Sequence, residues 1–373
     1  MRDVSLVLLA LVLGSPTAMA QEVAKETAEP LGSSLMDDGW LDLSGFLDKK
    51  FGFLPLAVPI TEPAVGYGIG GGVAFLDKPF GEARKEFSRP NATFAGGFAS
   101  ENDSWGLIVG DMRQWEDGRL QTLAGTVHAS VNLDFYGIGS DDTLGEEPRS
   151  YNLEPTGGMV QGKYRLGESR VFAGFGYALA SIAVSFDSPG GAPGLPGDSG
   201  TSNVGGLSPS LTYDTRDNIF TPIKGTYLEA SLGLFTEWLG SDGDFRRSNL
   251  IAMHYLPLRD KWTLGLRGQI TTSSEETPFY LRPFVYLRGV PAMRYQGEDM
   301  AQLEAELCWQ FWERYSLVGF AGTGAAWNEW TKFERRQSVV AGGGGFRYEI
   351  AREYGIHAGL DVAFGPENTA IYI

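Results

Sequence analysis

AQLEAELCWQF, residues 301–311, alternates residue by residue. The odd positions Ala301, Leu303, Ala305, Leu307, Trp309 and Phe311 are apolar, and the even positions Gln302, Glu304, Glu306 and Gln310 are polar. A period of two assigns a strand with one dry and one wet face. The pattern recurs at 356–364, where Ile356, Ala358, Leu360, Val362 and Phe364 oppose His357, Gly359, Asp361 and Ala363. It recurs again at 262–270 and 227–235, and more weakly at 105–113, 121–131, 171–179 and 249–256. No comparable helical stripe is evident.

Alternation alone fits a soluble sandwich, several small barrels or a transmembrane barrel. Two further features favour the last. The non-apolar faces carry glycines and charges, which suit a wet lumen better than a dry sandwich core. Aromatic residues stand near segment ends, at Trp105, Trp115, Phe135, Tyr136, Trp238, Trp262, Tyr280, Trp309, Trp312 and Trp327, where two bilayer interfaces would lie. Candidate strands fall at 57–76, 90–100, 103–113, 120–133, 156–166, 169–186, 203–215, 224–238, 244–257, 261–273, 279–286, 299–312, 315–327, 338–350, 353–365 and 368–373. The expected fold is an all-β transmembrane antiparallel barrel of sixteen strands, an even number as such barrels prefer, with fourteen fitting nearly as well. Loops are expected at 137–150, 187–202 and 274–278.

Composition agrees once the alternation is counted. The chain has 373 residues, 51 of them glycine, and a net charge of -16. Its mean hydropathy of -0.13 is the average of lipid-facing and lumen-facing residues. Nucleic acid is a poor partner for so acidic a chain. Residues 1–20, MRDVSLVLLALVLGSPTAMA, read as a secretory signal peptide ending in Ala18-Met19-Ala20, because the apolar run is too short to cross a bilayer. Residues 21–50 read as a short periplasmic segment with a brief amphipathic helix over 40–50, and 51–373 as the barrel. Cys308 is the sole cysteine, so no intrachain disulfide can form.

The stretch 207–235, LSPSLTYDTRDNIFTPIKGTYLEASLGLF, resembles a strand-turn signature of the Omp85 superfamily, with Asp214, Arg216, Asp217, Pro222 and Gly225 at its motif positions. Residues 280–294, YLRPFVYLRGVPAMR, resemble the loop-6 motif of the same family, centred on Arg288 and Gly289. The segments 317–327 and 340–365 follow in the order of the family's closing strands. The resemblance, to BamA/TamA-type and surface antigen D15-like barrels, implies an outer-membrane barrel of a Gram-negative bacterium whose sixth extracellular loop folds into the lumen. Its members pair the loop arginine with an aspartate in an F-x-D-x-G strand, whereas Phe320-Ala321-Gly322-Thr323-Gly324 has glycine there. Alternation places Glu304 and Glu306 on the inner face, and these are the expected substitutes. BamA and TamA carry periplasmic POTRA domains, for which residues 21–50 leave no room. The chain also ends Ala370-Ile371-Tyr372-Ile373 rather than in the family's usual phenylalanine.

Catalytic and metal chemistry find no constellation. His128, His254 and His357 are each more than 100 residues apart, and Gly68-Ile69-Gly70-Gly71-Gly72 lacks the lysine of a phosphate loop. No enzyme activity and no cofactor are expected. Asp214, Arg216 and Asp217 are expected to fix a hairpin register, and the pairs Asp141-Asp142 and Glu275-Glu276 to be solvated loop charges. The expected partners are outer-membrane lipid and lipopolysaccharide, with a protein or lipid client. The function so implied is insertion or translocation at a weakly closed seam, with Gly66, Gly68, Gly70, Gly71 and Gly72 making the first strand permissive. The alternative is a passive channel or structural barrel.

Overall fold

A computed structural model describes residues 40–49, 52–77, 91–138, 148–187, 199–329, 333 and 336–373. Residues 1–20, read above as a signal peptide, residues 21–39, the Asp141-Asp142 pair and most of the Gly/Pro loop at 187–202 lie outside the described residues. Sixteen strands follow one another: β1 Gly52–Ile60, β2 Gly68–Leu76, β3 Ala92–Ser100, β4 Trp105–Trp115, β5 Leu120–Phe135, β6 Arg149–Arg165, β7 Val171–Phe186, β8 Gly200–Asp214, β9 Gly225–Phe235, β10 Phe245–Arg259, β11 Trp262–Ser273, β12 Asp299–Trp312, β13 Tyr315–Trp327, β14 Gln337–Ala351, β15 Ile356–Phe364 and β16 Thr369–Tyr372. They form a single antiparallel sheet in sequence order, curled into a nearly closed barrel. Among the described residues no helix is long and apolar enough to cross a membrane. A barrel crosses with its strands.

The count of sixteen agrees with the sequence reading through two differences that cancel. Residues 57–76 are not one strand but parts of β1 and β2, because Glu62 to Gly66 turn the chain: the Val65 and Gly66 amides donate to the Glu62 carbonyl, and Gly66 takes φ +76°. Residues 279–286 are not a strand. Pro278 caps this apolar run and Pro283 interrupts it; the run begins as a 3-10 turn at Phe279–Leu281 and folds into the lumen. A short apolar run looks the same to sequence reading whether it faces lipid or fills a core.

The alternation resolves into two faces. On β12 Leu303, Leu307 and Trp309 point outward and Glu304 inward, while on β14 Val340 is exposed and Val339 buried. The lumen is drier than expected. One large apolar cluster joins Phe135, Tyr151, Ile182, Val204, Phe235 and Phe245 of the wall to Phe279, Tyr280, Leu281, Phe284 and Met293 of the β11–β12 connection. Phe135, Tyr280 and Trp327, placed by sequence at a membrane interface, are buried instead. The wall is uneven: β1 to β3 are nine residues each, whereas β5 to β8 have 16, 17, 16 and 15.

Helix α1, Ser44–Lys49, leads into β1 and belongs to a segment docked on the turns of β12, β13 and β14. Trp40 meets Trp312 and Tyr315 edge-on, the Leu43 amide donates to the Ile350 carbonyl, and Tyr348 donates to the Leu41 carbonyl. Arg314 donates to Asp42 over 2.7 Å, both side chains being fully buried. This segment therefore ties β12–β14 to β1, on the opposite side of the β16–β1 junction.

Candidate functional site

The connection between β11 and β12 doubles back as a finger. The Gly297 amide donates to the Pro283 carbonyl, the Val285 amide to the Tyr295 carbonyl, and Phe284 bridges Gln296, so 283–297 is a small hairpin with its tip near Arg288 to Arg294. Beyond Phe284, the side chains of Val285, Leu287 and Val290 pack on Met300, Ala326, Val339 and Ala341 of β12 to β14. That packing seats the finger inside the wall and aims its tip at β15 and β16.

Arg288 is held from several sides. Its guanidinium stands 2.7 Å from Glu306, 3.3 Å from Glu304 and 2.9 Å from Asp361, and lies 3.5 Å over the Phe320 ring. Arg347 donates to both oxygens of Asp361. Two cations thus meet three carboxylates in a largely buried space, where close geometry and the hydrogen bonds to Asp361 repay desolvation. Burial opposes the Arg288 charge, and Glu306, Glu304 and Asp361 together outweigh it and hold the guanidinium firmly protonated. The structure brings Arg288, Glu304 and Glu306 together and adds Asp361, Arg347 and Phe320, which sequence reasoning missed as partners. Alternation already set Asp361 on the inner face of its strand, but its approach to Arg288 depends on the curvature of β12 to β15.

Gly289 supplies the turn. Its φ of +89° is left-handed, and a Cβ there would come within 3.1 Å of Gly365 and Phe364 backbone atoms. Its amide donates to the Tyr372 hydroxyl of β16 over 2.9 Å. Three residues on, the Ala292 amide donates to the buried carboxylate of Glu62, just beyond β1. Tyr295 donates to Glu367 in the β15–β16 turn over 2.5 Å, and burial followed by that carboxylate pushes its hydroxyl up to about 12. The finger therefore touches both edges of the sheet. Among the described residues no ladder joins β1 to β16, and β16 pairs with β15 over four positions.

The strand-turn motif lies at the opposite end of the lumen. Arg216 donates two hydrogen bonds to Asp214, at 3.0 and 2.8 Å, and rests on the Tyr227 ring. Asp217 accepts from the Ile223 and Lys224 amides, closing the turn that contains Pro222, and Gly225 opens β9 at φ +108°. Beside it Lys163 pairs with buried Glu229, which also accepts from Thr212 and Tyr227. The turn does more than fix a register. Asn218 donates to the Tyr354 carbonyl and Thr221 to the Gly355 carbonyl, so the β8–β9 turn reaches the β14–β15 turn across the end of the barrel. Among the described residues no group of three His, Cys, Asp or Glu side chains is placed to hold a metal.

Fold and site together define a sixteen-stranded barrel of the membrane-spanning kind, with a luminal finger pinned by an arginine and both ends of its sheet within the finger's reach. The model of the Omp85 superfamily domain matches residues 121–367, and the chain belongs to that superfamily. Among solved structures it is similar to BamA from Haemophilus ducreyi lacking POTRA domains 1-3, at 13% identity and TM-score 0.62, covering 87% of this chain and 70% of that one. It is also similar to CdiB from Escherichia coli, at 11% identity and TM-score 0.60, over 87% of this chain and 62% of that one. CdiB from Acinetobacter baumannii aligns at 9% identity and TM-score 0.53, over 86% of this chain and 58% of that one. These identities carry the fold alone. No curated sequence matches the chain significantly.

Proposed function

We propose that this outer-membrane barrel aids the insertion or translocation of a protein or lipid, and that the route is the junction of β1 and β16 rather than the lumen. The observation that carries this reading is the four-residue β16, which leaves β1 without a ladder partner on that side among the described residues. A strand edge unpaired on one side is a template for another strand. In this reading the rim bearing residues 40–49 faces the periplasm, residues 1–20 are removed as a signal peptide, and the finger descends from the cell surface. The passive channel has less support, because apolar packing fills the outer lumen and the β8–β9 turn crosses the other end. The test is depletion of the protein followed by quantitative outer-membrane proteomics and lipid analysis. The proposal expects a subset of other barrels, or one lipid class, to fall; unchanged levels of all of them would refute it.

A further inference from the structure

Among the described residues the outer wall carries a charged patch that loop, seam and lumen do not use. On β4 the alternation runs Trp105, Leu107, Val109, Asp111, Arg113, Trp115 along one face. The tryptophans, Leu107 and Val109 are exposed, whereas Ile108 and Met112 of the other face pack into luminal clusters. The β4 register is unbroken toward both β3 and β5, so no bulge reverses its faces. Asp111 and Arg113 therefore point outward, between the two tryptophans of their own strand. Other outward charges, Asp134, Glu154 and Arg246, stand level with Trp105 or near the far ends of their strands. Charges on a lipid-facing wall are costly and mark function by default.

The patch is built. Thr93 donates to Asp111 over 2.6 Å, and Arg113 donates to Asp111 through Nε and Nη2 and to Thr93 through Nη2. Asn91 donates to Asp77 over 2.8 Å and accepts from the Gln114 amide. Arg113 Nη1 faces Asp77 at 3.6 Å, beyond hydrogen-bond reach, and so keeps N–H groups for an acceptor. Each of these charged side chains is about one-third exposed. Among the described residues two carboxylates against one guanidinium leave a net charge of -1, close to β1 and thus to the seam.

We propose that Asp77, Thr93, Asp111 and Arg113 bind the headgroup of a zwitterionic phospholipid bearing a primary amine, of the phosphatidylethanolamine class. The phosphate accepts from Arg113 Nη1, and the ammonium donates to Asp77 and Asp111. A purely anionic headgroup would meet an excess of carboxylate without offering it a donor. A choline headgroup carries positive charge but no N–H to donate.

The inference rests on the chain spanning a membrane, and the experiment separates the two. The full chain is reconstituted into vesicles, and insertion is scored by heat-modifiable electrophoretic migration. Native mass spectrometry then measures binding of phosphatidylethanolamine, phosphatidylcholine and phosphatidylglycerol to the wild type, Arg113→Ala and the milder rim variant Asp77→Asn. The wild type should prefer the ethanolamine lipid about tenfold, the equivalent of one charge-assisted hydrogen bond, and both folded variants should lose that preference. Equal binding of the three lipids, or an unchanged preference in both variants, overturns the site while leaving the membrane reading intact. Failure of the wild type to insert overturns both. A protein captured in place of lipid, and released by Arg113→Ala, overturns the lipid assignment.

Discussion

Arg288 is surrounded by more negative charge than it carries, so its removal does more than delete a contact. Glu304, Glu306 and Asp361 would be left facing one another, with Arg347 alone to offset them. Breaking such a buried arrangement should destabilise the barrel by about 3 kcal/mol. Denaturant unfolding of Arg288→Ala, followed by heat-modifiable migration, checks this; a change below about 1 kcal/mol, the scale of a surface pair, would mean that the arginine does not hold the finger. Gly289→Ala should act through the backbone, costing more than about 1 kcal/mol because φ is positive and the new Cβ meets the β15–β16 turn. Asp42 gives a pH-dependent counterpart at the other rim. Burial raises its carboxyl, but the Ser44 hydrogen bonds and Arg314 outweigh burial and hold it below the ordinary carboxylate range. A lowered carboxyl contributes stability that is complete above the unfolded value and lost as pH falls through the folded one. Proteolysis of the 40–49 segment should therefore accelerate only in acid below that range, and Asp42→Asn should remove the acid step while raising cleavage at neutral pH.

Among the elements, the β8–β9 turn is the one whose role exceeds its sequence signature. A hairpin turn needs only to reverse the chain, yet this one places Asn218 and Thr221 against the β14–β15 turn. Gly355 matches it, since a Cβ there would meet Asn218 and Thr221 at 2.7 Å. The paired change Asn218→Ala with Thr221→Ala should free the turn without touching Asp214 or Arg216, leaving the hairpin register intact. In planar bilayers the double variant should show brief openings that the wild type lacks; traces indistinguishable from wild type would mean that the turn does not close this end. Loop length and composition gave no sign of this contact, because its acceptors are the Tyr354 and Gly355 backbone carbonyls, groups that every residue carries.

For the whole molecule, three ties stand in for a β1–β16 ladder, which is absent among the described residues: the finger touches Tyr372 and Glu62, its flank holds Glu367, and the 40–49 segment joins β12–β14 to β1. A barrel so tied and filled should be nearly silent in conductance measurements. Removal of 283–297, with the ends rejoined, should give a stable open pore, and a silent deletion variant that still migrates as a folded barrel would show that the wall itself closes the lumen. The lipid face was legible early, since alternation on β12 and β15 survives intact in the burial of their side chains. The apolar run at 279–286 was not, because hydrophobicity cannot distinguish lipid from a packed interior.

By itself the sequence determined the strand class, the two faces of each strand, the family and the residues of the loop motif, because these follow from period, turn chemistry and local spelling. Only the tertiary structure decided which carboxylates meet Arg288, that β1 and β16 share no ladder among the described residues, that the β8–β9 turn spans one end, and that Asp77 and Thr93 join Asp111 and Arg113 on the outer wall. Each of these depends on how the sheet curves and where its strands stop, which brings together groups separated by 16 to 230 residues. Such closeness is a property of closure, and no local pattern encodes it.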